Sequence, residues 1–208
     1  MEPHFDKKED NLGILILAAG ASSRMGSPKQ LLPWKNQPLI RYLAAQALAL
    51  PCRPLVVVTG ASAGKVLGAL QGMEVEVVFN NEWVSGMGHS LAFGIEALEK
   101  LTPKTVGVMV LLSDQPLVEA NYLQQLCNLF FENNARVIAA SKYGPVFGPP
   151  LIFGREFFEE LKSLQGDRGA KELLRKYHAQ VKAIEFPDGA LDWDTPEDVA
   201  STEKYRPN

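Results

Sequence analysis

Residues 12–32 read LGILILAAGASSRMGSPKQLL, an apolar run that gives way to small residues and then to two cations. Residues 14–17 form a short, continuous apolar segment beside a glycine, and this pattern predicts a strand buried on both faces of a parallel sheet. The small residues 18–23 leave the backbone open to a ligand, and consecutive amides in such a loop can favour an anion. Arg24 and Lys29 add two positive charges. The stretch therefore predicts a phosphate site at the end of a central strand.

Two familiar glycine-rich phosphate loops do not fit this stretch. Counting from Gly20, a P-loop requires a second glycine at position 25, followed by lysine and by serine or threonine, but the chain has Met25 and Gly26 there. A G-x-G-x-x-G fingerprint is also absent after the strand. The sequence therefore supports neither a P-loop ATPase nor a dinucleotide-dependent dehydrogenase.

The composition predicts one domain and argues against a nucleic-acid partner. The chain has 208 residues, of which 46% are apolar, and a net charge of -3 without a basic run. We expect residues 1–11 to form a flexible polar arm and residues 12–208 to form a single domain.

No signal-peptide core and no apolar run of roughly 20 residues is present, so we expect no membrane partner and a cytoplasmic location. Cys52 and Cys127 predict reduced, buried thiols rather than a disulfide framework.

Strand and helix patterns alternate after the first loop. The segments with strand-like apolar runs are 55–58, 75–79, 106–112, 137–140 and 181–186. The segments with helical periodicity or helix-start signals are 38–50, 61–70, 88–101, 119–133, 167–177 and 195 onwards. This order predicts an α/β fold with three α/β/α layers and a mostly parallel, doubly wound, Rossmann-like sheet. Residues 143–153 contain three prolines, which predicts an extended or edge segment bordering the pocket rather than a central strand.

Ligands of such sheets bind outside the carboxyl ends of the strands, which draws attention to the residues that follow each strand. Asp114 follows the most apolar segment, 106–112, with only Ser113 between them. A carboxylate there is costly unless its charge is used, and Mg²⁺, which prefers oxygen ligands, is the obvious partner. The structural alternative is that Asp114 caps the next helix, although Pro116 and the distance to that helix make a cap less persuasive.

The segment DWDTPED at residues 192–198 combines a helix start with two further carboxylates. Thr195 as the N-cap, Pro196 at the first helical position and Asp198 three residues beyond the cap predict a capping box. Asp194 lies just outside the helix and is not needed for the cap. The sequence leaves the role of Asp192 open.

Residues 17–32 resemble the LAAGxSxRMGxxKxLL signature of the molybdenum cofactor nucleotidyltransferases without a departure. The segments GMGHSL at 86–91 and GDRGAK at 166–171 resemble the molybdopterin cytidylyltransferase branch of that family. The resemblance implies a domain of the nucleotide-diphospho-sugar transferase type within the NTP-transferase superfamily. Pro149 and Lys171 depart from the branch, in which many members have histidine and arginine at these positions.

The resemblance also implies roles for individual residues. Arg24, Lys29 and Asp114 are the expected catalytic residues, and Asp114 and Asp194 are the expected ligands of Mg²⁺. The nucleotide-binding residues expected from the family motifs are Leu17, Ala18, Ala19, Gly20, Arg24, Lys29, Gly88 and Ser90. Ser90 taken alone fits an ordinary helix start equally well, and Asp167 is expected to cap the helix that ends near Tyr177.

The implied reaction moves a nucleoside monophosphate, CMP from CTP, onto the phosphate of molybdopterin or the molybdenum cofactor and releases pyrophosphate. One alternative is a sugar-phosphate nucleotidyltransferase. A second alternative, from a different class, is a non-catalytic accessory protein that binds molybdopterin and passes it to a molybdoenzyme or maturation partner. Intact Arg24, Lys29, Asp114 and Asp194 argue against the carrier, because a carrier does not need a site for a metal and a triphosphate.

Overall fold

Strand β1, Leu12–Ala18, is buried along its whole length and is an interior strand of the main sheet. The structure is a computed structural model that describes residues 11–22, 25–167 and 169–205. The further strands in these ranges are β2 (Pro33–Trp34), β3 (Gln37–Pro38), β4 (Leu55–Thr59), β5 (Glu76–Phe79), β6 (Gly107–Leu112), β7 (Ile138–Tyr143), β8 (Val146–Gly154) and β9 (Val181–Glu185). The α-helices in these ranges are α1 (Leu39–Leu48), α2 (Ala63–Ala69), α3 (Met87–Leu101), α4 (Ala120–Glu132), α5 (Phe158–Lys162), α6 (Lys171–Lys176) and α7 (Pro196–Ser201).

Across the described ranges the main sheet has seven strands in the order β5-β4-β1-β6-β8-β7-β9, and β2 and β3 form a separate hairpin. β1 pairs in parallel with β4 on one side and with β6 on the other. β5 and β9 also pair in parallel with their neighbours, whereas β8 is antiparallel to both β6 and β7. The predicted mostly parallel α/β sheet is therefore confirmed.

The side chains of β1 alternate between two hydrophobic clusters on opposite faces of the sheet. Ile14 and Ile16 pack in a cluster that includes buried residues of α1 and α4. Leu15 and Leu17 pack in a cluster that includes buried residues of α3, α5 and α6. Because both faces of the sheet are covered by helices, the domain has the predicted three layers.

The prediction for residues 143–153 was wrong in one respect: the segment is extended and borders the larger cavity, but β8 lies between two strands rather than at an edge. Its pairing with β7 is interrupted between Ala140 and Ser141, which are opposite Leu151 and Gly148. Pro149 and Pro150 fall in this gap, where a missing backbone N–H removes no ladder hydrogen bond. The hydroxyl of Ser141 instead donates to the carbonyl of Pro150 at 2.8 Å.

The two predicted helix caps have different outcomes. The capping box at α7 is confirmed, because the Thr195 hydroxyl accepts from the backbone of Asp198 and the Asp198 carboxylate accepts from the backbone of Thr195. Asp167 does not cap α6: the N-cap residue is Ala170, which makes no side-chain cap. Asp167 lies three residues before this N-cap, too early in the sequence for its carboxylate to cap the first amides of the helix.

The two cysteines are buried, as predicted, and their Sγ atoms lie 3.8 Å apart without a disulfide bond. Sequence distance gave no sign of this proximity, which arises because α4 packs against the segment that follows α1. Among the helices that the structure describes, none combines the length and apolar character needed to cross a membrane.

A close approach between α3 and the sheet generates the first prediction. A Cβ atom added at Gly94 would lie 2.6 Å from a methyl carbon of Leu15 and 2.9 Å from one of Val58, whereas a Cβ at Gly68 would meet no atom within 4 Å. We expect Gly94→Ala to lower the free energy of unfolding by about 1–3 kcal/mol through overpacking. Gly68→Ala, the matched control in α2, should raise it by about 0.5–1 kcal/mol. Urea unfolding of both variants is the measurement, and equal stabilisation by the two would contradict the close approach.

Candidate active site

The candidate active site lies at the edge of the sheet where β1, β4 and β6 end. Ala18 is the register partner of Thr59, and Leu17 is the register partner of Leu112. The backbone N–H of Ser113 donates to the carbonyl of Leu17 at 3.2 Å, which keeps the two chain segments together beyond the strands. The loop after β1 and the aspartate after β6 therefore leave the sheet side by side.

The loop after β1 positions Lys29 through two polar side chains. The backbone N–H of Lys29 donates to the hydroxyl of Ser22 at 3.1 Å. Gln30 is almost fully buried, and its side-chain amide donates to the carbonyl of Ala18 at 3.4 Å. These contacts fold the chain back onto the end of β1, where the 3₁₀ turn Lys29–Leu31 begins. Arg24 lies outside the described residues.

Lys29 forms ion pairs with two aspartates that are distant in sequence. Its Nζ atom lies 2.5 Å from Oδ2 of Asp114 and 2.8 Å from Oδ1 of Asp194. The side chains of Lys29 and Asp114 are 19% and 14% exposed, and that of Asp194 is 44% exposed. Burial by itself would lower the pKa of Lys29, but the charge of Asp114 and the hydrogen bonds to both carboxylates outweigh it and raise the pKa. The structure thus brings together three of the residues predicted from sequence.

Trp193 anchors the segment that carries Asp194. Its side chain is fully buried, its ring packs edge-to-face on Trp34 at 5.6 Å between centroids, and its indole N–H donates to the Thr202 hydroxyl at 3.0 Å. Its backbone N–H donates to the carbonyl of Asp114 at 2.9 Å, which joins the two aspartate segments directly. The sequence analysis missed this role. A tryptophan between two aspartates was the available signal, because a large apolar side chain in such a polar segment must find a buried site.

Asp192, on the other side of Trp193, is a partly buried carboxyl group. Burial and the nearby charge of Asp114 raise its pKa to about 7. One oxygen of Asp192, one oxygen of Asp114 and the side-chain oxygen of Gln115 are buried and have no hydrogen-bond partner among the described residues. Unpartnered carboxylate oxygens are costly, and hard oxygen donors of this kind suit a divalent cation such as Mg²⁺. The residues present therefore fit a metal ion.

The start of α3 contributes a second side of the site. Ser90 is buried, and its hydroxyl accepts a hydrogen bond of 3.1 Å from Asn80, a fully buried residue after β5 that the sequence analysis did not select. Gly88 is also buried, but its N–H donates to the carbonyl of Gly166 at 2.8 Å. The amide of Gly88 is therefore already used, and Gly86, which precedes it, lines the site instead.

Two adjoining cavities occupy this edge of the sheet. The smaller, of about 320 Å³, is lined by residues that include Ala19, Gly20, Trp83 and Ser90. The larger, of about 1040 Å³, is bordered by residues from β8, α6 and the segment around Asp192 and Asp194. Leu17, Lys29 and Asp114 line both cavities. The cationic and anionic groups of the site thus stand where the two cavities meet.

Comparison with known proteins assigns the chain to a family. Residues 14–181 match the MobA-like NTP transferase domain. The chain belongs to the MobA-like NTP transferase family. The nucleotidyltransferase class and the fold type that the sequence motifs implied are thereby confirmed.

Individual relatives of the MobA-like chain have different names. The purine catabolism protein PucB of Bacillus subtilis is 32% identical over 88% of this chain and 92% of its own length. Nicotine blue oxidoreductase of Paenarthrobacter nicotinovorans is 30% identical over 92% of this chain and 94% of its own length. The crystal structure of Rv0371C from Mycobacterium tuberculosis H37Rv in complex with manganese is 26% identical, with a TM-score of 0.73 over 93% of this chain and 98% of that one.

The anchoring role of Trp193 leads to the second prediction. Trp193→Ala should lower the free energy of unfolding by about 3–5 kcal/mol and also reduce nucleotidyltransferase activity at temperatures where the variant is folded, since Asp194 loses its anchor. Phe130→Ala is the matched control, because Phe130 is fully buried in the same cluster but lies on α4. Thermal unfolding and activity assays on both variants test this. Equal activity of the two would show that Trp193 contributes packing alone.

Proposed function

We propose that this MobA-like transferase moves CMP from CTP onto the phosphate of molybdopterin or the molybdenum cofactor and releases pyrophosphate. One observation carries the proposal: Lys29 and Asp114 stand at the junction of a small cavity beside the β1 loop and a much larger one. A transferase that joins a nucleotide to a second substrate needs two such spaces that meet at its charged groups. The nucleotide occupies the smaller cavity and the acceptor the larger.

The reaction follows from this placement. An oxygen of the acceptor phosphate attacks the α-phosphorus of CTP in line, a new P–O bond forms, and the bond to the bridging oxygen breaks. Pyrophosphate leaves with that electron pair. The acceptor oxygen is already ionised, so a general base is not required. Lys29, the loop amides and Arg24 neutralise the charge of the triphosphate, and positioning and electrostatics supply most of the acceleration.

Asp114 and Asp194 would hold Mg²⁺, and Asp192 offers a further carboxylate oxygen in the same cavity. Within the described ranges, no three His, Cys, Asp or Glu side chains form a cluster able to hold a metal by themselves. This suits Mg²⁺, which usually binds one or two carboxylates and completes its shell with water and substrate phosphates. The ion supplies positive charge to the triphosphate when bound. The manganese complex of Rv0371C supports divalent-metal use in such a fold.

The walls of the larger cavity favour molybdopterin over a sugar phosphate as the acceptor. Apolar side chains make up much of its lining and include Leu91, Val110, Leu151 and Leu174. A planar heterocycle can bury both of its faces against such walls, whereas the hydroxyl groups around a sugar ring gain nothing from apolar side chains. The choice of CTP rests on the Ala18–Ala19 pair, on the GMGHSL segment and on the modest size of the nucleotide cavity, which suits a pyrimidine.

A transfer assay tests the proposal. With Mg²⁺ and molybdopterin, we expect CTP to release pyrophosphate in equal amount to the cytidylylated product, with kcat/KM about tenfold or more above that for GTP. N-acetylglucosamine 1-phosphate in place of molybdopterin should release none. Transfer to the sugar phosphate would overturn the acceptor assignment, and a preference for GTP would overturn the cytidylyl assignment.

The paired aspartates provide a further prediction. Asp114→Asn and Asp194→Asn should each lower Mg²⁺-dependent transfer by about a hundredfold, because asparagine keeps the shape and removes the charge. The double variant should lose little more than either single variant, since residues that act as a unit are non-additive. Glu197→Gln, an exposed carboxylate on α7, is the control and should stay near wild type. The measurement is the transfer rate of each variant as a function of Mg²⁺ concentration. Fully additive losses in the double variant would mean that the two carboxylates act independently.

A further inference from the structure

Two basic side chains of α6 face the larger cavity, away from the nucleotide loop. Lys171 and Arg175 are four residues apart, which places them on one side of the helix. Both line the larger cavity, and neither lines the smaller one. Both also line a third cavity of about 300 Å³, whose remaining lining includes His178 and Phe147.

The third cavity has a positive lining. None of the described residues that line it is acidic, although Glu172 and other carboxylates line the adjoining larger cavity. Among the described residues, neither Lys171 nor Arg175 forms an ion pair. Lys176, on the same helix, differs in both respects: it pairs with Glu160 at 2.6 Å and does not line this cavity. Two unpaired cations at the mouth of a cavity without carboxylates favour an anionic ligand group.

The apolar side chains of the third cavity indicate which kind of ligand bears the anionic group. The rings of Phe147 and His178 lie 5.9 Å apart between centroids, and Val146 is 50% exposed beside them. Flat aromatic and apolar groups next to cations suit a planar ring that bears a negative charge. The triphosphate does not account for these cations, because neither of them lines the smaller cavity beside the β1 loop.

We propose that the acceptor carries a second anionic group in addition to its reacting phosphate, and that Lys171 and Arg175 bind this group. The inference rests on the proposed function and narrows its substrate class to a planar heterocycle with anionic groups at two positions. One is the phosphate that reacts beside Lys29 and Asp114, and the other lies against α6. Lys171 and Arg175 are specificity-determining residues in this view and take no part in bond making.

A pair of matched probes tests this without any nucleotide. Pterin-6-carboxylate and 6-hydroxymethylpterin share one ring system and differ only at C6, where the first carries an anionic carboxylate and the second a neutral hydroxymethyl group. We expect wild-type protein to bind the carboxylate about tenfold more tightly, the scale of one charged hydrogen bond, as measured by quenching of pterin fluorescence. In the double variant Lys171→Met with Arg175→Met, the affinity for the carboxylate should fall to within about twofold of that for the neutral probe. The affinity for the neutral probe itself should not change. Lys176→Met, with a single charge removed from the same helix, should keep the preference.

Each outcome bears on the inference. Equal affinities in the wild type, failure of both probes to bind, or a preference that survives in the double variant would overturn it. The transfer assay separates this result from the proposed function: cytidylyl transfer without any anion preference contradicts the second anionic group alone. Anion-dependent pterin binding without nucleotidyl transfer contradicts the proposed reaction alone.

Discussion

The ammonium group of Lys29 between two aspartates is the interaction on which the site depends. Asp114 is 85 residues away in the chain and Asp194 is 165 residues away. Two carboxylates this close to a common point repel each other, and partial burial strengthens the repulsion because water no longer screens it. The lysine offsets that repulsion, so the loop after β1, the end of β6 and the segment before α7 can converge. Among the described residues at this edge, Asp114, Asp192 and Asp194 outnumber Lys29, which suits the divalent metal proposed above.

The fold brings these groups together by two different means. The parallel pairing of β1 with β6 places the first loop and Asp114 at the same edge, as in any doubly wound sheet. The C-terminal segment has no strand at that position and depends instead on Trp193, which is inserted into the core beside Trp34. The backbone hydrogen bonds of the sheet therefore position Asp114, whereas the buried side chain of Trp193 positions Asp194.

Much of this was accessible from the sequence, since it depends on short-range patterns. The buried strand before the small-residue loop, the alternation of strands and helices, Asp114 after a strand and the capping box at Thr195 are all local signals. The failures are non-local. The interior position of β8 is possible because its pairing with β7 is interrupted where the prolines lie. The number of prolines in the sequence does not indicate this interruption. The bridging position of Lys29, the anchoring of Asp194 by Trp193 and the use of the Gly88 amide by Gly166 each require contacts between distant segments. The position of Lys171 and Arg175 beside a cavity depends on contacts between α6 and the distant residues 145–147.

The reversed direction of β8 determines which of its residues border the larger cavity. Because β8 is antiparallel to β6, its first residues, rather than its last, lie at the edge where the other strands end. The tight hairpin from β7 to β8 therefore borders the larger cavity, while residues before Leu112 form most of the smaller one. In the proposed assignment, the residues around the acceptor and those around the nucleotide therefore come from different stretches of the sequence. A change in the length of the β7–β8 hairpin would reshape the larger cavity and leave the backbone of the β1 loop in place.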